Sequence, residues 1–117
     1  MNQHEKINYV EYPSRNLALT KSFFEKVFGW TFQDYGPEYT AFLNEGLDGG
    51  FYLSEQTSTT ENGAALLVFY SDDLEGTQVK VEAAGGIVVN SIFAFPGGRR
   101  FQFLEPSGNE FAVWSSE

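Results

Sequence analysis

The chain has 117 residues, 42% apolar and 17% aromatic, with 12 Phe, 6 Tyr and 2 Trp; intrinsic disorder is excluded, and one compact domain over 1–117 is expected, its core needing no disulfide or metal staple. Sixteen acidic and seven basic residues give a formal charge of −9, which repels a phosphate backbone and argues against nucleic acid as a partner. With one His and no Cys, no Ser-His-acid triad, Cys-His pair or thiolate metal site can be assembled.

In chain order, residues 7–13 alternate as a strand, and Asn16 is placed to cap a helix whose Phe23, Phe24, Val27 and Phe28 recur at helical spacing until Gly29 closes it. Strands follow at 30–35, 39–43 and 50–54, separated by Gly-Pro-Glu and Gly-Leu-Asp-Gly turns. A polar linker covers 57–63. A second series then runs as a strand at 64–70, a helix capped by Asp72 or Asp73 and ending at Ala84 before Gly85-Gly86, and strands at 87–93, 100–104 and 110–114.

The two series are copies. Shifting the sequence by 57 matches Ser14 with Ser71, Leu17 with Leu74, Thr20 with Thr77, Glu25 with Glu82 and Gly29 with Gly86, where roughly one identity is expected by chance. Later the offset becomes 60, pairing Phe51 with Phe111 and Leu53 with Val113, with three added residues expected at 95–98. Module 1 therefore spans about 5–56 and module 2 about 64–117. Each reads βαβββ, an α+β fold with too few helices for a doubly wound sheet. One face of each sheet lies under its helix and the other surrounds a cavity or meets its twin. Strand parity puts Phe51, Leu53, Leu67, Phe69, Phe101, Phe103, Phe111 and Val113 under the helices. It puts Tyr52, Leu66, Val68, Tyr70, Arg100, Gln102, Leu104, Glu110, Ala112 and Trp114 on the concave side, and the repeat offset, matching Tyr9 with Leu66 and Glu11 with Val68, adds Tyr9 and Glu11. No window approaches the roughly 18 apolar residues of a membrane span, and the first residues lack a signal-like apolar run, so a cytoplasmic protein without membrane partners is expected.

Several stretches resemble the vicinal oxygen chelate superfamily, which contains glyoxalase I, extradiol dioxygenases, fosfomycin-resistance proteins and bleomycin-binding proteins. They are Asn8-Tyr9-Val10-Glu11-Tyr12-Pro13, Phe23-Phe24-Glu25-Lys26-Val27-Phe28-Gly29-Trp30, Ser71-Asp72-Asp73-Leu74, Gly97-Gly98-Arg99 and Glu105-Pro106-Ser107-Gly108-Asn109-Glu110-Phe111. The resemblance covers nearly the whole chain and points to a small glyoxalase-like protein. It implies paired βαβββ modules around a U-shaped cavity, a homodimer, and in enzymatic members a divalent metal held by one side chain from the first and last strand of each module. Those positions fall here at Tyr9, Tyr52, Leu66 and Ala112. Leu and Ala supply no donor, so no metal cofactor is expected.

Among the remaining candidates, Glu11 is placed either to act as a general base in an aromatic pocket or to pair with Arg100. Arg100 is placed to clamp an anion or to neutralise Glu11 and Glu110, and Arg99 competes for that role if the parity slips. Tyr9, Phe42, Tyr52, Tyr70 and Trp114 form an aromatic lining suited to a planar or cationic ligand. The expectation is a metal-free small-molecule-binding protein with a cavity built from Tyr9, Glu11, Phe42, Tyr52, Leu66, Tyr70, Arg100, Gln102, Glu110, Ala112 and Trp114. The alternatives are an isomerase or lyase using Glu11, a glyoxalase- or dioxygenase-like metalloenzyme with displaced ligands, sequestration of a bleomycin-type antibiotic, and a module serving only partner contact.

Overall fold

The structure, a computed structural model, describes residues 2–117. It contains β1 (Tyr9–Ser14), α1 (Leu17–Phe28), β2 (Gln33–Asp34), β3 (Tyr39–Phe42), β4 (Asp48–Leu53), β5 (Leu67–Tyr70), α2 (Leu74–Ala83), β6 (Ile87–Phe95), β7 (Gly98–Leu104) and β8 (Glu110–Ser115). The strands form two four-stranded sheets of like topology, β1-β4-β3-β2 and β5-β8-β7-β6, with the first strand of each module parallel to its last. Two βαβββ modules are thus present.

Both helices start the same way. Asn16 is extended, and its side-chain oxygen accepts from the Leu19 N–H at 3.1 Å; Asp73 does the same for Gly76 at 3.1 Å. Ahead of each cap, Ser14 and Ser71 accept from the Asn16 and Asp73 N–H groups. Their hydroxyls meet Thr20 at 2.8 Å and Thr77 at 2.7 Å. Three of the identities at offset 57, Ser14/Ser71, Leu17/Leu74 and Thr20/Thr77, are therefore parts of a repeated strand-to-helix junction. Gly29 ends α1 with φ 72°, a left-handed conformation that glycine adopts without Cβ strain.

Thr20, Phe23, Phe24 and Val27 make the buried stripe of α1, spaced three and four residues apart so that they share one face. Phe24 is fully buried and lies near Phe51 of β4, Phe69 of β5 and Phe111 of β8, with ring centroids 5.6, 6.3 and 5.2 Å away. One apolar cluster thus draws on both modules; burying a side chain of this size contributes roughly 1.5–3 kcal/mol. Tyr12 joins it from β1, and burial pushes its phenol up to about 12, opposed by a hydrogen bond to the Leu67 backbone.

A buried polar cluster also ties the modules together. Glu105, in the β7–β8 turn, accepts from the Ser107 N–H, the Ser107 hydroxyl, Thr20 Oγ1 and Asn109 Nδ2. Asn109 also donates to the Pro13 carbonyl at 2.6 Å, and Arg15 Nε to the Ser107 carbonyl at 2.9 Å. The turn of module 2 is thereby fastened to the β1–α1 junction of module 1.

Three local expectations are corrected, and the linker gains detail. The strand expected over 30–35 is reduced to Gln33–Asp34, because Trp30 turns into the core against Phe24 and Phe42, at 4.6 and 4.3 Å. Leu53, expected under the helix, is 47% exposed at the end of β4. The linker contains a single 3-10 turn, Thr60–Asn62, and is pinned to module 2: Ser58 exchanges bonds with Asn109 and Glu110, and Thr60 bonds Glu110. Finally, Tyr12 pairs with Phe51 and its counterpart Phe69 with Val113, so the offset at the last strands is 62, not 60. Tyr52 then corresponds to Trp114 and Gly50 to Ala112.

Candidate functional site

The face of the first sheet turned away from α1 carries Tyr9, Glu11 and Pro13 of β1, Asp48, Gly50 and Tyr52 of β4, and Tyr39 and Ala41 of β3. Register places Glu11 beside Gly50 and Gly50 beside Ala41, while Tyr52 lies between Pro13 and Tyr39. A Cβ on Gly50 would collide with the hydroxyl and ring of Tyr39, so Tyr39 lies across β4 where that strand has no side chain. Its hydroxyl donates to Glu11 Oε2 at 2.9 Å and sits 2.6 Å from the Tyr9 hydroxyl. With the Tyr39 hydroxyl hydrogen directed at Glu11, Tyr9 must be the donor in the second bond. Tyr39 is kept protonated by burial and by the Glu11 carboxylate to which it donates, which push its phenol far above its ordinary value. The result is an ordered chain, Tyr9 to Tyr39 to Glu11. A cavity of about 660 Å³ opens beside it, lined by Glu11, Pro13, Tyr52, residues 55–58 and residues 62–64.

The second sheet carries a different arrangement. Tyr70, Trp114, Arg100 and Phe93 are successive register partners across β5, β8, β7 and β6, so they share one face. Tyr70 and Trp114 meet edge to face at 5.1 Å. The next row holds Val68, Ala112, Gln102 and Asn90. Arg100 Nη2 and Asn90 Nδ2 donate to Gln102 Oε1, and Gln102 Nε2 donates to Glu110 Oε2 at 2.7 Å. Burial alone would raise the Glu110 carboxyl, but the Thr60 N–H and hydroxyl, the Gln102 amide and the Arg100 charge outweigh it and hold it below the usual range.

Of the residues singled out from the sequence, Tyr9 and Glu11 come together on the first sheet with Tyr52 nearby. Tyr70, Arg100, Gln102, Glu110, Ala112 and Trp114 share the second, with Leu66 just before β5. Phe42, 2% exposed and packed on Trp30, lines not the Glu11 cavity but another of about 460 Å³, which it shares with Val68 and Tyr70. Glu11 and Arg100 do not pair; Tyr39 holds the former and Gln102 contacts the latter. Arg99 points elsewhere, gripping Glu75 of α2 through both terminal nitrogens at 2.6 and 3.3 Å. Tyr39 was missed by sequence reasoning, although its distance of two residues from Ala41 and the side-chain-free Gly50 on the neighbouring strand were signals for it.

The positions of the superfamily's metal ligands do not fit a divalent cation. Leu66 and Ala112 have no donor atom, and the Tyr9 hydroxyl is committed to Tyr39. Tyr9 is level with Asp48 and Tyr52 with Pro13, so the two are not cross-strand neighbours. Among the described residues, no three His, Cys, Asp or Glu side chains gather to hold a metal, and no helix is long and apolar enough to cross a membrane.

The sequence matches the Glyoxalase/Bleomycin resistance protein/Dioxygenase superfamily over residues 6–113. Among curated relatives, the anthracycline biosynthesis proteins DnrV of Streptomyces peucetius and DauV of Streptomyces sp. (strain C5) are each 29% identical over 119 aligned positions, covering 86% of this chain and 43% of the relative. The chain thus spans less than half the length of either. Among solved structures, a glyoxalase/bleomycin resistance protein/dioxygenase family enzyme from Burkholderia phytofirmans PsJN has a TM-score of 0.80 at 18% identity, covering 96% of this chain and 99% of that one. The fosfomycin resistance protein FosX from Listeria monocytogenes has a TM-score of 0.78 at 15% identity, covering 97% and 94%. At these identities the likeness concerns the fold alone.

Proposed function

The chain belongs to the Glyoxalase/Bleomycin resistance protein/Dioxygenase superfamily, and within that fold we propose that it binds a small organic ligand through its own concave side chains rather than through a divalent metal. The observation that carries this reading is the cavity of about 660 Å³ walled by Glu11 and Tyr52, a size suited to organic ligands. Glu11 is itself oriented by Tyr39. On the same sheet face stand exposed aromatic surfaces, Tyr9 at 41% and Tyr52 at 36%, and the second sheet exposes Tyr70 at 49%. Rings of this kind bind planar ligands by stacking and by their polar edges. A second copy of the chain closing over these faces, as a homodimer, is part of the proposal.

The test is a thermal-shift screen of the purified protein with planar aromatic and polycyclic compounds, the anthracyclines of the two Streptomyces relatives among them. A ligand that binds only the folded state raises the melting temperature. The proposal expects such a rise, reduced in Tyr52→Ala and Glu11→Gln proteins; no shift with any compound overturns it.

An enzymatic reading is favoured by one detail. Among the described residues Tyr39 engages Glu11 through Oε2, and a carboxylate fixed through one oxygen at a cavity wall is suited to general-base catalysis of an isomerase or lyase type. A Glu11→Gln protein that retains full turnover of an identified substrate excludes it.

A further inference from the structure

Arg100 stands out in the second sheet. Among the described residues it forms no ion pair, although the chain carries 16 acidic side chains. Its Nε is buried without a hydrogen-bond partner, which is costly for a cationic donor. The side-chain contact it does make is with a neutral amide, Gln102 Oε1, at 3.2 Å. Gln102 stands between it and Glu110, whose other oxygen is taken by the Thr60 N–H and hydroxyl. Glu110 is thus already satisfied by direct hydrogen bonds, and Arg100, whose charge acts on it through space, is left without a carboxylate in direct contact.

The surroundings are aromatic. Trp114 is the register partner of Arg100 on one side and Phe93 on the other, with the guanidinium carbon 5.8 Å from the Phe93 ring centroid. Tyr70 meets Trp114 edge to face at the end of the row. Phe93 and Tyr70 are 40% and 49% exposed, so the row offers ring surface on both sides of a planar fork of N–H donors. A guanidinium matches a carboxylate two bonds to two. A dianion such as a phosphate monoester would call for a second cation, and the neighbouring Arg99 is committed to Glu75 on α2.

We infer that the Tyr70–Trp114–Arg100–Phe93 row binds a planar aromatic carboxylate, the acid on the Arg100 guanidinium and the ring against Trp114. This goes beyond the reading above, whose cavity lies at Glu11 and Tyr52 on the first sheet, by assigning a separate ligand surface and its ligand class to the second sheet. The assignment differs from a cationic-ligand reading of the acidic charge, because the acidic side chains lie outside this row.

The experiment is calorimetric titration of the full chain with 2-naphthoate and, separately, with its uncharged isostere 2-naphthamide. The acid is expected to bind about tenfold or more tightly than the amide, since a charge-assisted bidentate pair replaces a neutral contact. Arg100→Gln should bring the acid down to the affinity of the amide, while Arg100→Lys, which keeps the charge but loses the fork, should fall between; near-ultraviolet circular dichroism checks the fold of both. Equal binding of acid and amide, or a preference that survives Arg100→Gln, overturns the inference and leaves the small-molecule reading standing. If neither compound binds, this inference is overturned, and the broader reading is decided by its own compound screen.

Discussion

The ring of Tyr39 occupies the space that a side chain at Gly50 would fill. Because of that one missing Cβ, a tyrosine on β3 crosses β4 and donates to Glu11 on β1 at 2.9 Å. Gly50→Ala should therefore displace Tyr39 and release Glu11, losing what Tyr39→Phe loses, about 1 kcal/mol, the ordinary net value of such a hydrogen bond. It should lose more besides, because its Cβ also meets the Thr40 backbone carbonyl. The double variant should cost no more than the larger single change, because both remove one interaction. Urea unfolding of the four proteins checks this; additive losses would show that Gly50 and Tyr39 act independently.

Glu105 makes stability depend on pH with a sign opposite to that of most carboxylates. Burial raises its pKa, more than the opposing hydrogen bonds from Ser107, Thr20 and Asn109 lower it. The folded chain then holds the Glu105 proton to higher pH than the unfolded chain, whose glutamate titrates near 4.5. The stabilisation from this group is full below that value and is lost as pH rises through the raised folded value. Glu110, held below the usual range, acts the other way: its contribution is present above the unfolded value and is lost as pH falls. The comparison that isolates Glu105 is wild type against Glu105→Gln across pH 4.5–8. The stability difference between them should shift against wild type as pH rises; a pH-independent difference would contradict the assignment.

Phe24 joins strands of both sheets, so its removal should loosen both modules together. Phe24→Ala is expected to cost about 3–5 kcal/mol, a large share of the roughly 5–15 kcal/mol that holds a domain of this kind. Val79→Ala, at a position 64% exposed on α2, should stay within about 0.5 kcal/mol. Far- and near-ultraviolet transitions should coincide in wild type, because one core serves both modules; separate transitions would contradict a shared core.

Much of the fold was legible because the repeat is built from capping chemistry. Ser14, Thr20 and Asn16, with Ser71, Thr77 and Asp73, are short polar side chains whose local hydrogen bonds fix where a strand ends and a helix begins, and such bonds leave identities at constant spacing. Face assignments held where strands alternate clearly, as at Phe101, Phe103, Phe111 and Val113, all buried to within 1% exposure. In β3, four residues with aromatics at both ends give no alternation, so the strand pattern did not single out Tyr39. The pairing of Glu11 with Tyr39 depends on strand order, with β4 between β1 and β3, and strand order is set by tertiary packing. The same holds for Arg99 and Arg100: adjacent in sequence, they lie on opposite faces, and the bidentate grip of Glu75 from α2 decides which of them is spoken for.

The central claim, ligand binding by side chains without a divalent metal, is tested most directly by metal analysis of the purified protein, paired with its melting temperature before and after adding one equivalent of zinc, nickel, manganese or ferrous iron. The account predicts metal well below about a tenth of an equivalent per chain and no rise in melting temperature, since an ion that does not bind the folded state cannot stabilise it. Stoichiometric metal that is removed by a chelator, with a matching fall in melting temperature restored by the same ion, would contradict it.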